Sequence, residues 1–306
     1  LTVKDHTGTQ RILKRIEVGD SNNQPTLGVR LTMTGDLTDQ LYHLAQEAET
    51  FAFQLHQTRA DKKAVFYTYQ SSFMKTIEYP LTATTSTEAQ WNSIMAPVIK
   101  TVLQKSGFSA TFPRDIFFGP VKYQGFGCKH PYYHQETLHV VTLANEILNT
   151  TQTGQLLIVS LEELVRDLGV AEPLHRVPYR TYVPCTKNSW ITTLWRFVNY
   201  HSISIDGLIE IPPLLRNNDT YLVSRFVQCG YSGKDLKVLN QIRQTLHAFT
   251  ISDLATADGN QISVDAWHAE GSNKIRDDVQ WPRKISISHA SLRLWQLALR
   301  KCFLNQ

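Results

Sequence analysis

The chain has 306 residues, of which 42% are hydrophobic and 19% charged, and carries a net charge of +4. That balance excludes a disordered chain, and the apolar runs are too short for a membrane-spanning helix. Four scattered cysteines (Cys128, Cys185, Cys229 and Cys302) with no C-x-x-C pair fit reduced thiols inside a cell, in the cytoplasm or nucleus, better than a disulfide framework.

Residues 1–35 read as a small β-meander. Leu1 to Lys4, Thr9 to Val18 and Thr26 to Met33 are its expected strands, with Asp5-His6-Thr7-Gly8 as a turn. Leu27, Val29 and Leu31 alternate with polar or small neighbours, which suits a half-buried strand. Gly35-Asp36 closes it with a turn signal. The first residue is Leu1 and the chain opens inside an apparent strand, so we expect a piece of a longer protein.

Residues 36–106 read as a bundle of three helices. Leu41, Leu44, Ala48, Phe51 and Leu55 recur at steps of three and four, a single apolar stripe. Asp61 is a good N-cap for the second helix, whose expected buried face is Phe66, Tyr69, Phe73 and Ile77. Pro80 should stop it. The third helix follows Thr85 and Glu88, which have capping-box spacing. Its stripe is Trp91, Ile94, Val98 and Val102, and Pro97 should kink it.

Residues 107–178 begin as an aromatic and glycine-rich connector and become helical from Pro131. Leu157, Leu161, Leu164 and Leu168 mark a helix ending at Gly169. Residues 170–186, with Pro173, Pro178 and Pro184, read as a linker. Residues 179–306 form a C-terminal, mainly helical part. Helices are expected around Trp190, Leu222, Leu236 and Leu292, with a minor β element in a strand or hairpin arm at Ile203 to Ile211 and a short hairpin at Phe249 to Ile262, around Asp258-Gly259. The fold class expected is mainly α, α+β overall.

Charge is unevenly spread. Residues 60–130 hold eight Lys/Arg against four Asp/Glu, residues 131–178 two against six, and residues 179–306 fifteen against ten. In the first basic stretch Lys62, Lys63, Tyr67, Lys75, Lys100, Lys105, Arg114, Lys122 and Lys129 interleave cations with aromatics. Such residues neutralise phosphates and stack on bases, or else the aromatics are core and the lysines merely solvated. Replacing Lys63 and Lys75 together is expected to lower the salt slope of duplex binding by roughly two, if both touch phosphate.

Three other features bear on chemistry. Cys128, His130, His134 and His139 carry zinc-ligand side chains, but at a spacing that matches no standard site. Asp277-Asp278 lacks the hairpin context of a two-metal polymerase pair. There is no phosphate-binding glycine loop, no G-x-S-x-G elbow and no Cys/His nucleophile arrangement. Spacing therefore assigns no catalytic residue and no metal ligand.

Several short motifs, taken in order, resemble the region downstream of the catalytic palm in reverse transcriptases of non-LTR-type retroelements, such as those abundant in diatoms and some fungi. Thr26-Leu27-Gly28-Val29 with Gly35 is similar to the last palm strand. Tyr79-Pro80-Leu81 with Thr84 is similar to a link between thumb helices. Gly107-Phe108, Pro113-Arg114, Gly119-Pro120 and Tyr123-Gln124-Gly125-Phe126-Gly127, followed by Gln135, are similar to a glycine and aromatic segment. Asn218-Asp219, Gly230-Tyr231-Ser232-Gly233, Asn240, Ser252-Asp253, Trp281-Pro282 and Trp295 match the tail in outline. The resemblance implies a thumb-like, non-catalytic part of an RNA-directed DNA polymerase that grips an RNA–DNA hybrid or duplex DNA. Its missing upstream palm would hold magnesium, and this chain would hold no cofactor. The alternative is a free-standing helical protein-interaction module descended from a retroelement.

Overall fold

Among the described residues, six α-helices begin at a residue whose side chain caps the first turn. The computed structural model describes residues 2–4, 10–12, 24–26, 29–31, 36–170, 173, 175–205, 219–270 and 287–304. The fold is mainly α with a minor β element. It divides into two compact units, Leu1–Val140 and Val141–Gln306.

Unit 1 opens with four short strands: β1 (Thr2–Lys4), β2 (Gln10–Ile12), β3 (Gln24–Thr26) and β4 (Val29–Leu31). The expected three-stranded meander is instead two separate antiparallel pairs, β1 with β2 and β3 with β4. Thr26 pairs with Val29, so the chain reverses within the stretch read as a single strand. The Asp5–Gly8 turn, Leu27-Gly28 and Gly35 lie outside the described residues. Buried Gln40 ties the second pair to the next helix by accepting from the Arg30 backbone N–H at 2.7 Å.

Helix α1 (Thr38–Gln57) buries Leu44, Ala48, Ala52 and Leu55 along its stripe. Asp61 caps α2 (Lys62–Thr68), its side chain accepting from the Ala64 N–H at 2.7 Å. A π turn (Tyr69–Phe73) then leads into α3 (Met74–Glu78) and a 3₁₀ turn (Tyr79–Thr82). Tyr69, Phe73 and Ile77 are buried as expected, while Phe66 is half-buried. The π turn bonds residue i to i+5, so a step of four residues stays on one face there. Pro80 does not stop the chain's helical course but sits at the start of the 3₁₀ turn, where its missing N–H costs nothing.

The capping box of α4 (Glu88–Lys105) is Thr87 with Gln90, not Thr85 with Glu88. Thr87 is extended and its hydroxyl accepts from the Gln90 N–H, while the Gln90 side chain accepts from the Thr87 N–H at 2.8 Å. Helix α4 is unbroken at Pro97. It ends in a Schellman motif, with Phe108 N–H on Leu103 O at 2.9 Å and Gly107 N–H on Gln104 O at 3.1 Å. Gly107 adopts φ +83°, which glycine takes without Cβ strain. Helices α1 and α4 pack on each other, and Phe51 of α1 stacks on Phe73 at 4.7 Å. Trp91, Val98, Val102 and Leu103 are fully buried, and each such aliphatic side chain contributes about 1.5–3 kcal/mol.

The connector shares this core. Short helix α5 (Arg114–Phe118) carries Phe117, which meets Tyr69 at 5.8 Å, and Phe126 meets Phe66 edge-on at 5.6 Å. A Cβ on Gly125 would lie 2.1 Å from the Gly119 carbonyl oxygen, so two backbones touch where the sequence places glycines. Helix α6 (Pro131–Glu146) then begins with proline in its first position.

Unit 2 contains α7 (Gln152–Leu168), α8 (Tyr179–Tyr182), α9 (Trp190–Tyr200), α10 (Leu222–Gln228), α11 (Gly233–Thr245), α12 (Val264–His268) and α13 (His289–Leu299). Gly169 ends α7 in the left-handed conformation, φ +67°. The proline-rich stretch expected as a linker is packed where it is described. Val177 is buried, and its carbonyl accepts from the Trp195 indole N–H at 3.0 Å and from Asn199 at 3.1 Å. The Asp258-Gly259 hairpin is reduced to one bridge, Ala255 with Ile262. Ile203 to Ile205 form no strand, and the rest of that expected arm lies outside the described residues, as do Asn218, Asp277-Asp278 and Trp281-Pro282.

Candidate functional site

The basic stretch sorts into three groups. Lys75 and Lys129 both bind one carboxylate, Glu78, at 2.7 and 2.6 Å. Burial alone would raise the Glu78 carboxyl, but the hydrogen bonds from Lys129 and Lys75 outweigh it and hold it at about 2. His134 also faces Glu78, at 3.4 Å. Lys105 donates to the Thr58 carbonyl at the end of α1, at 3.1 Å. These three cations have internal work to do.

Lys62, Lys63, Lys100 and Lys122 are exposed and make no ion pair among the described residues. Lys63 and Tyr67 are one turn apart on the same face of α2. Lys122 lies over the Tyr123 ring at 4.7 Å. Tyr67 and Tyr123 are each 73% exposed, so neither is core.

Arg114 belongs to a third place, an open cleft of about 850 Å³ within unit 1. Helix α4 supplies Glu88 and Asn92 to it, α5 supplies Arg114 and Phe118, and the entrance to α6 supplies Lys129, His130 and Tyr133. Three rings run along it. Phe118 and His130 lie 4.6 Å apart, and His130 and Tyr133 lie 5.1 Å apart in an edge-on contact. Arg114 donates to the Ala110 carbonyl at 3.4 Å, and partial burial lowers its pKa.

His130 also caps α6. Its Nδ1 accepts from the Tyr132 backbone N–H at 3.2 Å, which assigns the proton to Nε2, and Nε2 then donates to Asn92 Oδ1 at 3.1 Å. Burial lowers the pKa of this ring against the opposing pull of Glu88. Burial prevails, and with Nδ1 accepting a hydrogen bond the ring is neutral. The Tyr133 hydroxyl donates to Glu88 at 3.3 Å.

The four residues with zinc-ligand side chains are dispersed. The Cys128 thiol is 3.9 Å from Gln70, His130 faces Asn92, and His134 faces Glu78. His139 is buried, against the Leu81 carbonyl and 3.7 Å from Glu136. Among the described residues no group of three or more His, Cys, Asp or Glu is placed to hold a metal ion. Cys128 is pushed up to about 11 and Cys185 and Cys302 to about 12, by burial first, so these thiols stay protonated and unreactive at neutral pH.

Sequence reasoning missed how the motif residues work together. Thr84, from the Tyr79-Pro80-Leu81 link, donates to Gln135 Oε1 at 2.9 Å, although the two are far apart in sequence. The same oxygen accepts from the Trp91 indole at 3.0 Å and the Ser86 N–H at 3.2 Å. In unit 2 Asp219 accepts from the Ser252 N–H at 3.2 Å, and Asn240 donates to the Asp167 carbonyl at 2.8 Å. These are structural joints, and only partner choice in three dimensions identifies them. No helix among the described residues is long and apolar enough to cross a membrane. No protein-family model, curated protein or solved structure matches the chain.

Proposed function

We propose that this chain is the nucleic-acid-binding, non-catalytic part of a retroelement RNA-directed DNA polymerase, and that unit 1 grips an RNA–DNA hybrid or duplex DNA by its backbone. One observation carries the reading: exposed lysines that make no ion pair among the described residues stand beside exposed tyrosines, Lys63 with Tyr67 and Lys122 with Tyr123. Solvated lysines over a buried aromatic core would not leave those rings in water. Lys62 and Lys100 extend the same set. Phosphate contacts of this kind give affinity without base readout and make it fall with salt.

The test is a salt titration of hybrid binding by the wild type and the K62A/K63A variant. The slope of log affinity against log salt should fall by about 1.8 if both lysines touch phosphate. Equal affinities and parallel slopes would remove the reading.

The second reading, a protein-interaction module derived from a retroelement, is favoured by exposed Leu156 and Val159, three residues apart on α7. An in-frame palm with paired aspartates upstream in the genome supports the first reading. A start codon near Leu1 supports the second.

A further inference from the structure

The unit 1 cleft is electrically balanced, unlike the lysine set. Arg114 and Lys129 contribute two positive charges to its walls, and Glu88 and Asp115 contribute two negative ones. A neutral cleft gives no general attraction for a duplex backbone. It does offer separate partners for the separate parts of one nucleotide. Its volume of about 850 Å³ lies within the range of small-molecule sites, roughly 300–1,000 Å³.

Each wall has a definite chemistry. The Phe118, His130 and Tyr133 rings form an apolar, π-faced side with centroids 4.6 and 5.1 Å apart. His130 is fixed in orientation by its bonds to the Tyr132 N–H and to Asn92, and its neutral state removes a charge from that side. The Arg114 guanidinium has five N–H donors, of which one is used within the described residues, on Ala110. A planar fork with free donors is the side chain suited to a phosphate. Lys129 is already held by Glu78, so Arg114 is the main anion contact. Glu88 and Asp115 are hydrogen-bond acceptors, the complement of an exocyclic amine.

We infer that this cleft seats a single unpaired nucleotide, with the base against the Phe118, His130 and Tyr133 rings, its amino group toward Glu88 or Asp115, and its phosphate toward Arg114. The inference rests on the nucleic-acid reading and deepens it, by giving a strand end a place apart from the duplex-gripping lysines. Adenine and cytosine, which carry an exocyclic amine, should bind better than uracil, which does not.

The experiment is a calorimetric titration of the full chain with AMP, UMP and adenosine. The wild type should bind AMP more tightly than UMP or adenosine. R114Q should weaken AMP about tenfold and leave adenosine unchanged, because only the phosphate contact is lost. Y133A should weaken AMP and adenosine alike by about fivefold or more, and Y133F, which keeps the ring, should restore both. Circular dichroism confirms that each variant is folded; Arg114 is exposed and Tyr133 is 42% exposed, so both should be. No AMP binding by folded wild type at millimolar concentration would overturn the inference, as would AMP affinity equal in wild type, R114Q and Y133A. The duplex reading fails on a different readout, the salt slope of K62A/K63A, so the two can be rejected separately.

Discussion

Each unit buries a polar hub, and the two are centred on different groups, an amide and a guanidinium. In unit 1 the hub is centred on a side-chain amide. Gln135 is fully buried, accepts from Thr84, Ser86 and Trp91, and donates to the Ser86 carbonyl at 3.0 Å and to the buried Glu136 at 3.2 Å. In unit 2 the hub is a cation. Arg243 is 1% exposed and donates to the carbonyls of Arg166 at 2.9 Å and Asp167 at 3.1 Å, at the end of α7. It also reaches Asn240 at 2.8 Å and the Ala248 carbonyl at 3.2 Å. Gly169 leaves room for it, since a Cβ there would lie 2.8 Å from the guanidinium carbon. Burial lowers the Arg243 pKa to about 10, so it keeps its charge at neutral pH, where the negative end of α7 favours a cation. A neutral amide can join distant segments with little desolvation. A guanidinium costs more to bury but satisfies several carbonyls that a helix end leaves open.

The largest expected effect separates these hubs. R243M should destabilise unit 2 by about 4 kcal/mol, because it strands helix-end carbonyls in the core. Hydrogen exchange should locate the loss in α7 and α11. Q135A should cost unit 1 about 3 kcal/mol, since the Trp91 indole and the Ser86 N–H lose their acceptor, with exchange rising in α4 and α6. If the two losses are equal, or if Q135A is the worse, the contrast between amide and guanidinium hubs fails.

A backbone test comes next. G125A puts a methyl group 2.1 Å from the Gly119 carbonyl oxygen and should cost about 2 kcal/mol in urea denaturation, within unit 1. A change under 0.5 kcal/mol would mean that the loop yields.

Surface charge in unit 1 gives smaller effects. Glu78 has a folded pKa near 2, below its ordinary 4.5, so its contribution is present above about pH 4.5 and is lost as pH falls toward 2. Both lysine partners are more than half exposed, and screening limits the contribution to about 1 kcal/mol. E78Q should flatten that part of the acid denaturation curve. The smallest effect on stability is K63A, under about 0.5 kcal/mol. Adding K75A to K63A should lower the salt slope by nearer one than two, because Lys75 is already engaged by Glu78. A full drop of two would show that Lys75 leaves Glu78 for phosphate.

The sequence revealed what local physics decides. Asp61 as a cap, Gly169 as a stop and the stripe of α1 were legible because a cap needs three residues and a helical face needs a period. The Thr87–Gln90 box was misplaced by two residues, since Thr85 and Thr87 both have acceptors at the right distance ahead. The π turn went unseen because its residues are ordinary helix formers. The proline stretch looked like a linker because its burial depends on Trp195 and Asn199, which come later in the chain. The sharing of Glu78 by Lys75 and Lys129 had no sequence signal, so all nine basic-stretch residues looked alike. The ring contacts of the cleft join α5 to α6 and likewise required the fold.

Trp91 gives the Gln135 hub an optical voice. Of six tryptophans in the chain, it is the one that falls within residues 1–140, and its indole N–H is bound to Gln135 with the ring fully buried. Its emission should therefore be blue-shifted, and a W91F difference spectrum isolates one unit's signal from the other's. The side chain that helps hold the core together is also the natural fluorescent reporter of its melting.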